Sequence, residues 1–275
     1  MKYELSEAYP ILENLMTENK LTVFAGSGIS RLSGLPDWNG LIEQFIEMIK
    51  TMQILNVTDK ADLKLIVEDA EKRVAAKRFN PIEVATVLKN RLKKCKELFD
   101  PNTLAHAEYQ SWITEMFIRK HPNVLHKLIV KTNYPFILTS NYDNLFQKAA
   151  YDANYHDIAA NIYTYKDQLE IMSSIYNNKK CIIHVHGTAN TLKIDELIFT
   201  KEDYNKIILK KYEGFSFALR ILFTRYSTLF LGYGASDPHL EEVLEELTEF
   251  FPLEDRTFTL PESYLVTMRD KADSI

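Results

Sequence analysis

The sequence predicts a doubly wound, mostly parallel α/β sheet with an inserted helical subdomain. Short apolar runs of strand length alternate with helix-length amphipathic segments at both ends of the chain, the rhythm of parallel strands joined by right-handed crossovers. Between them lies a long stretch with helical periodicity and no convincing strand. Four of the strand-like runs end in small or polar residues: LTVFAGSGIS (Leu21 to Ser30), PFILTSNYD (Pro135 to Asp143), CIIHVHG (Cys181 to Gly187) and TLFLGYGASD (Thr228 to Asp237). Ligands of open α/β sheets bind just beyond the carboxyl ends of the strands, so these four ends point to one shared pocket.

Taken in order, residues 5–19 read as a helix that leads into the strand Leu21–Ala25. The turn Gly26–Gly34 follows, then an amphipathic helix from Trp38 to Met52, in which Leu41, Ile42, Phe45, Ile46 and Ile49 recur at the spacing of a buried face. VTDKAD reads as a polar break. DLKLIVEDAEKRVAAKR, PIEVATVLKNRLKKCKELF and AEYQSWITEMFIRK then carry helical periodicity, with helix starts at Pro81, at the Asp-Pro-Asn-Thr stretch of residues 100–103 and at Pro122. PNVLHKLIVK is the crossover helix back to the sheet. Phe136–Thr139 is the next strand, followed by a helix from Tyr142 to Ala153 and a short strand in NIYTY at 161–165. Cys181–Val185 is a buried strand, and LIF at 197–199 precedes a helical stretch from Lys201 to Tyr226. Leu229–Leu231, an acidic helix from Asp237 to Phe251 and the strand SYLVT at 263–267 complete the pattern. Residues 1–52 and 132–275 therefore form the α/β domain, and 53–131 the helical insertion. A doubly wound sheet normally covers its last strand with another helix; the sequence runs only eight residues further, which suggests an effector domain cut from a longer protein.

Composition narrows the function. The net charge of −5 argues against a general nucleic-acid binder, whose footprint is basic. No apolar run approaches the ~20 residues of a membrane span, and MKYELSEAYP lacks a secretory signal pattern. Cys95 and Cys181 are the two cysteines, too few for a disulfide framework or a four-cysteine zinc site. The expectation is a reduced, cytoplasmic protein without zinc.

AGSGIS places Gly-x-Gly directly after a strand, where glycines allow a tight turn and a close approach to a pyrophosphate; a purely structural turn is the alternative. Arg31 stands where the third glycine of the dinucleotide fingerprint belongs, and no clear acidic residue closes the next strand, which disfavours an ordinary dehydrogenase. The longer string Gly26-Ser27-Gly28-Ile29-Ser30-Arg31-Leu32-Ser33-Gly34-Leu35-Pro36-Asp37-Trp38 closely resembles the sirtuin signature Gly-Ala-Gly-x-Ser, spacer, Gly-Ile-Pro-Asp-Phe. Thr139-Ser140-Asn141-Tyr142-Asp143 resembles the sirtuin Thr-Gln-Asn-Ile-Asp, and His186-Gly187 matches its His-Gly. Thr200-Lys201-Glu202-Asp203-Tyr204 and Gly232-Tyr233-Gly234-Ala235-Ser236-Asp237 are similar to motifs of divergent prokaryotic sirtuin-like domains, NAD-consuming effectors of antiphage systems. The ordered set spans residues 20–267. It departs from protein-deacylating sirtuins in lacking the cysteines of their zinc ribbon, in Asn39 and Ser140 at motif positions, and in lacking a Phe-Gly-Glu segment. These losses fall on the peptide side of the reaction, not the NAD side.

The resemblance implies a Rossmann-like fold and hydrolysis of NAD+, as substrate, to nicotinamide and ADP-ribose. It implies His186 as the base, acting with Asn141 and Asp143, and NAD+ contacts at Ala25, Gly26, Ser27, Gly28, Ser30, Asp37, Trp38, Thr139, Ser140, Gly187, Gly232, Gly234, Ser236 and Asp237. It further implies homo-oligomers restrained by a sensor or partner domain outside this chain, abortive defence by NAD depletion, and phage protein or nucleic acid only as an indirect trigger. Local readings stay open beside these roles. Asp143 suits a helix first turn, Asn141 or Ser140 an N-cap, Asp37 a cap, Trp38 a core anchor, and Asp237-Pro238 a cap followed by Pro at the first helical position. His186 could end a strand as a core histidine, or with His184 hold a metal. The acidic run EEVLEELTEF and the basic cluster KNRLKKCK read as solvated helix faces. A zinc-free deacylase and a non-catalytic NAD or ADP-ribose sensor are the rival functions.

Overall fold

A computed structural model describes residues 4–51, 57–75, 80–92, 102, 104–191, 196–207, 212–234, 237–251 and 259–266. Among these, six strands form one sheet: β1 (Leu21–Ala25), β2 (Phe136–Thr139), β3 (Ile162–Thr164), β4 (Cys181–His184), β5 (Ser227–Leu231) and β6 (Ser263–Leu265). Their order is β3-β4-β2-β1-β5-β6, and every neighbouring pair is parallel. From β1 the chain passes to β2, then to the edge strand β3 and back to β4 between them, all on one side, and then to β5 and β6 on the other. The winding direction therefore reverses between β1 and β5, which is where a doubly wound sheet opens its crevice.

Central parallel strands are covered on both faces, so they read as apolar runs; every residue of β1, β2 and β4 is buried. Side chains alternate between the faces. Phe24, Phe136, Leu138, Ile183 and Phe230 join one cluster, packed by α10 (Gln168–Tyr176), α12 (Glu213–Arg225) and α13 (Pro238–Phe250). Val23, Ala25, Ile137, Ile182 and Leu229 join the other, packed by α7 (Val124–Thr132), α8 (Leu145–Asp152) and α9 (His156–Ala160), with α1 (Leu5–Thr17) alongside. A third cluster gathers α3 (Trp38–Thr51), α4 (Val57–Ala75), α5 (Pro81–Leu92) and α6 (Leu104–Ile113), the last running into a π-helical turn at Thr114–Ile118. Two short helices, α2 (Ser27–Ser30) and α11 (Lys201–Lys206), lie at the carboxyl ends of strands or beside them. Among the described residues no helix is long and apolar enough to cross a membrane.

Three local expectations need correction. VTDKAD is the start of α4, not a break, since it holds no Gly or Pro to interrupt a helix. The helix expected from Tyr142 starts at Leu145, because Asn141 and Asp143 spend their side chains on neighbouring loop groups before the helix begins. The stretch expected as one helix from Lys201 is two, α11 and α12, with residues 208–211 outside the described residues. Cys95 and the end of the basic cluster also lie outside the described residues.

Its start is the surprise. Lys89, on α5, is 1 % exposed, and its Nζ donates to Asp203 Oδ2 on α11 at 2.7 Å and to Leu197 O at 3.2 Å. The ammonium also lies 4.5 Å from the Phe199 ring centroid. Oδ2 of Asp203 accepts from Thr200 Oγ1 at 2.7 Å in the capping box of α11, and Oδ1 from Lys206 at 3.1 Å. Burial pushes the Asp203 carboxyl up, but Lys89, Thr200 and Lys206 outweigh it and hold it below the usual carboxylate range. Removing one partner of such a pair strands a buried charge, at a cost of about 3–5 kcal/mol. Lys89→Met is expected to lose that much in denaturant melts, and exposed Lys64→Met to stay within about 0.5 kcal/mol of wild type.

Candidate active site

The loops after β1 and β5 touch backbone to backbone. Gly26 N donates to Leu231 O and Gly28 N to Gly232 O, each at 2.9 Å. A Cβ at Gly26 would lie 2.5 Å from Gly232 O, and one at Gly28 2.8 Å from Gly232 Cα. Gly232 itself has φ +60°, and a Cβ there would meet Ile29 N at 2.7 Å. The immediate neighbours of Gly28 and Gly232 are thus each other.

The loop after β2 is tied to the same turn. Thr139 Oγ1 donates to Ala25 O at 2.8 Å and accepts from Asn141 N at 3.1 Å. Asn141 Nδ2 donates to Gly26 O at 3.1 Å and to Ser30 Oγ at 3.0 Å, which orients the amide and leaves Oδ1 as its remaining acceptor. Ser30 Oγ donates to Asp143 Oδ2 at 2.8 Å, while Asp143 Oδ1 accepts from Leu145 N at 3.0 Å. Burial raises the Asp143 carboxyl against these hydrogen bonds.

Beyond β4 the two histidines part. His184 Nδ1 lies 2.9 Å from Asn141 O, a contact that makes it the donor. His186 Nε2 lies 2.6 Å from Asp237 Oδ2, close but outside the geometry of a ring N–H hydrogen bond. Asp237 is also the N-cap of α13, its Oδ1 accepting from His239 N at 3.1 Å and Leu240 N at 3.2 Å, with Pro238 opening the helix. Burial pushes the Asp237 carboxyl up, yet the His186 imidazole and the cap hydrogen bonds prevail and hold it below its ordinary value. The Tyr204 ring meets the His186 ring edge-on, centroids 5.3 Å apart. Among the described residues no group of three His, Cys, Asp or Glu side chains is placed to hold a metal ion.

These strand ends enclose a cleft with about 820 Å³ of space between atoms, its open mouth included. Gly26, Ser27, Ser30, Asp37, Trp38, Ser140, Asn141, Asp143, His186, Gly234 and Asp237 line it. Ala25, Gly28, Thr139, Gly187 and Gly232 do not line it; Gly187, at φ +84°, lets the chain pass close to Glu196, whose carbonyl a Cβ would meet at 2.4 Å. Ser236 lies outside the described residues. Asp37 caps α3 through Gly40 N at 2.9 Å and faces the cleft as well. Sequence reasoning did not assign Leu35, Pro36, Leu41, Phe117, Tyr142, Tyr204 or Tyr233 to the lining. Tyr204 and Tyr233 belong to motifs that were singled out, and Tyr142 sits between two named residues, whereas no sequence signal marks Phe117.

A family model described as a SIR2-like domain matches residues 135–274. The protein named NAD(+) hydrolase ThsA from Acinetobacter baumannii (strain 532279) is 24% identical over 242 residues, which cover 88% of this chain and 42% of that protein. Defense-associated sirtuin 2 from Bacillus subtilis is 21% identical over 254 residues, covering 88% and 22% respectively. An NAD(+) hydrolase ThsA from Enterococcus faecium is 25% identical over 133 residues, covering 48% and 26%. The chain spans less than half the length of each of these curated relatives.

Around the cleft, burial holds His126 and His239 neutral, with pKa values lowered from 6.5 to about 4. Between those values the unfolded chain binds more protons than the folded one, so stability falls as pH falls. Urea melts should lose on the order of a few kcal/mol between pH 7 and pH 4.5. His239→Gln, which cannot titrate, should remove about half of that loss and leave the share of His126; a profile level over this range in the wild type would contradict the assignment.

Proposed function

We propose a function from one premise: the chain belongs to the SIR2-like domain family. The proposed activity is hydrolysis of NAD+ to nicotinamide and ADP-ribose in the cleft, as the effector of an antiphage system that depletes NAD+. The observation that carries it is the convergence of Gly26, Asn141, His186 and Asp237, from four strand ends, on one cleft beside the reversal of the sheet. The printed names of the relatives, NAD(+) hydrolase and defense-associated sirtuin, support the substrate and the setting.

In this reading the bond between the nicotinamide nitrogen and C1′ of its ribose breaks toward an oxocarbenium-like state. The bonding electrons pass to the pyridinium, which leaves as neutral nicotinamide and needs no acid. A water oxygen bonds to C1′, and its proton passes to the His186 imidazole. Asp237, 2.6 Å from Nε2, holds the ring and stabilises the imidazolium that forms. Asn141 Oδ1 accepts from the water or from a ribose hydroxyl. Trp38, Phe117, Tyr204 and Tyr233 line the cleft with rings that exclude bulk water from the developing cation.

We treat residues 53–131 as a helical subdomain inserted into the Rossmann-like domain formed by 1–52 and 132–275. Phe117 brings that insertion to the wall of the cleft, and we read the insertion as its lid. The assembly is a homo-oligomer in the cytoplasm, with a sensor or partner domain outside this chain holding the effector in check until phage infection, when NAD loss aborts the infection.

The test is incubation with NAD+, alone and in the full-length protein, with nicotinamide followed by chromatography. His186→Ala and Asn141→Ala should each remove most turnover while the fold survives, and Asp237→Asn should lower kcat. A positioned base contributes about 10²–10⁴-fold, so His186→Ala retaining more than about a tenth of the rate removes His186 from that role. Product made only with an acyl-lysine peptide would replace hydrolysis by deacylation, and calorimetric binding of NAD+ without nicotinamide release would replace it by sensing.

A further inference from the structure

His126 lies outside every motif discussed above, yet it is fully buried one contact away from the cleft. It occupies the third position of α7, behind the N-cap Asn123. There it completes a capping box: Asn123 Oδ1 accepts from Leu125 N at 2.8 Å and His126 N at 3.4 Å, and His126 Nδ1 accepts from Asn123 N at 3.4 Å. Glu or Gln ordinarily fills this place. An imidazole can fill it only with Nδ1 unprotonated, so the proton of the neutral ring must sit on Nε2.

Nε2 lies 3.3 Å from Ser30 Oγ. With Nε2 as donor, the Ser30 oxygen accepts from His126 and from Asn141 Nδ2, and its own proton has one destination, Asp143 Oδ2. Asn123 fixes the same segment from its other side, Nδ2 donating to Ile29 O at 2.8 Å and Ser33 Oγ at 2.9 Å. The Phe146 ring, its centroid 4.8 Å from that of His126, packs against the imidazole.

We propose that His126 is a positioning residue for the cleft: the capping box of α7 selects its tautomer, which sets the direction of the Ser30 hydroxyl and so the orientation of the Asn141 amide and the Asp143 carboxyl. Its catalytic consequence rests on the NAD+ reading above; the hydrogen-bond relay does not. With the opposite tautomer Nδ1–H would confront the Asn123 N–H, Ser30 would turn its proton to Nε2, and Asp143 Oδ2 would lose the Ser30 hydroxyl, keeping the Leu145 N–H on Oδ1.

The experiment compares His126→Phe, which keeps the ring bulk without the donor, with His126→Gln, whose amide nitrogen can replace Nε2–H. In the 275-residue chain, ¹⁵N spectra at pH 7 should show His126 as the neutral tautomer protonated on Nε2, and Ser30→Ala should shift that signal. The side-chain amide resonances of Asn141 should move in His126→Phe and return toward wild type in His126→Gln. Nicotinamide release should lose about 10- to 100-fold in kcat in His126→Phe, the range of a misplaced catalytic group, with KM changed less than about threefold, and His126→Gln should recover most of it. A tautomer protonated on Nδ1, or Asn141 resonances unmoved by His126→Phe, overturns the proposal whatever the turnover. Equal kcat losses in the two variants, tracking their melting temperatures, also overturn it by reducing His126 to a packing role. If the wild type releases no nicotinamide, the NAD+ reading fails by itself, and the Asn141 and His126 resonances still decide the relay.

Discussion

The contact on which the site depends is the meeting of two backbones, that of the Gly26–Gly28 turn and that of Gly232. It joins the strand ends on either side of the point where the sheet reverses. From there hydrogen bonds and the close His186–Asp237 contact run around the cleft. Ala25 and Gly26 accept from the loop after β2, and Asn141 O holds His184 at the end of β4. Two residues on, His186 meets Asp237, which opens the helix after β5. No side chain could be inserted at the starting contact without spreading the strand ends, because Cβ atoms there would approach backbone to 2.5–2.8 Å. The glycines therefore act first on the shape of the cleft wall, and Gly26 also lines the cleft itself.

Three aspartates around the cleft divide their two oxygens in the same way. One oxygen of Asp37, Asp143 and Asp237 accepts a backbone N–H at a helix start. The other faces a side chain: Arg31 at 3.8 Å for Asp37, Ser30 at 2.8 Å for Asp143 and His186 at 2.6 Å for Asp237. A capping role and a chemical role are not rivals for a carboxylate, since capping fixes the rotamer and thereby aims the second oxygen. The local readings of these residues and the functional ones describe opposite ends of the same group.

This explains what could be read from the sequence. The α/β class, the strands and the loops after β1, β2, β4 and β5 were legible because apolar periodicity and turn chemistry are local. His186 and Asp237 were each legible, but their pairing was not: it joins segments from two strands that are not neighbours in the sheet. Tyr204 and Tyr233 carried no ring-specific signal, since an aromatic in a motif reads equally well as core. Phe117 comes from a helical segment whose periodicity describes only its own packing. His126 was invisible because its pattern is that of an ordinary amphipathic crossover helix, and a histidine at the third helical position announces a cap only once its ring is placed.

The Lys89–Asp203 pair gives the helical segment a particular mechanical character. Two ions stripped of water attract strongly at contact, and separating them by a fraction of a diameter without readmitting solvent costs more than either end state. α5 therefore cannot drift from α11 by degrees: it is seated, or it is released with both charges hydrated. Because Tyr204 follows Asp203 in sequence and its ring meets that of His186 edge-on, this dry pair anchors the segment that carries one wall of the cleft.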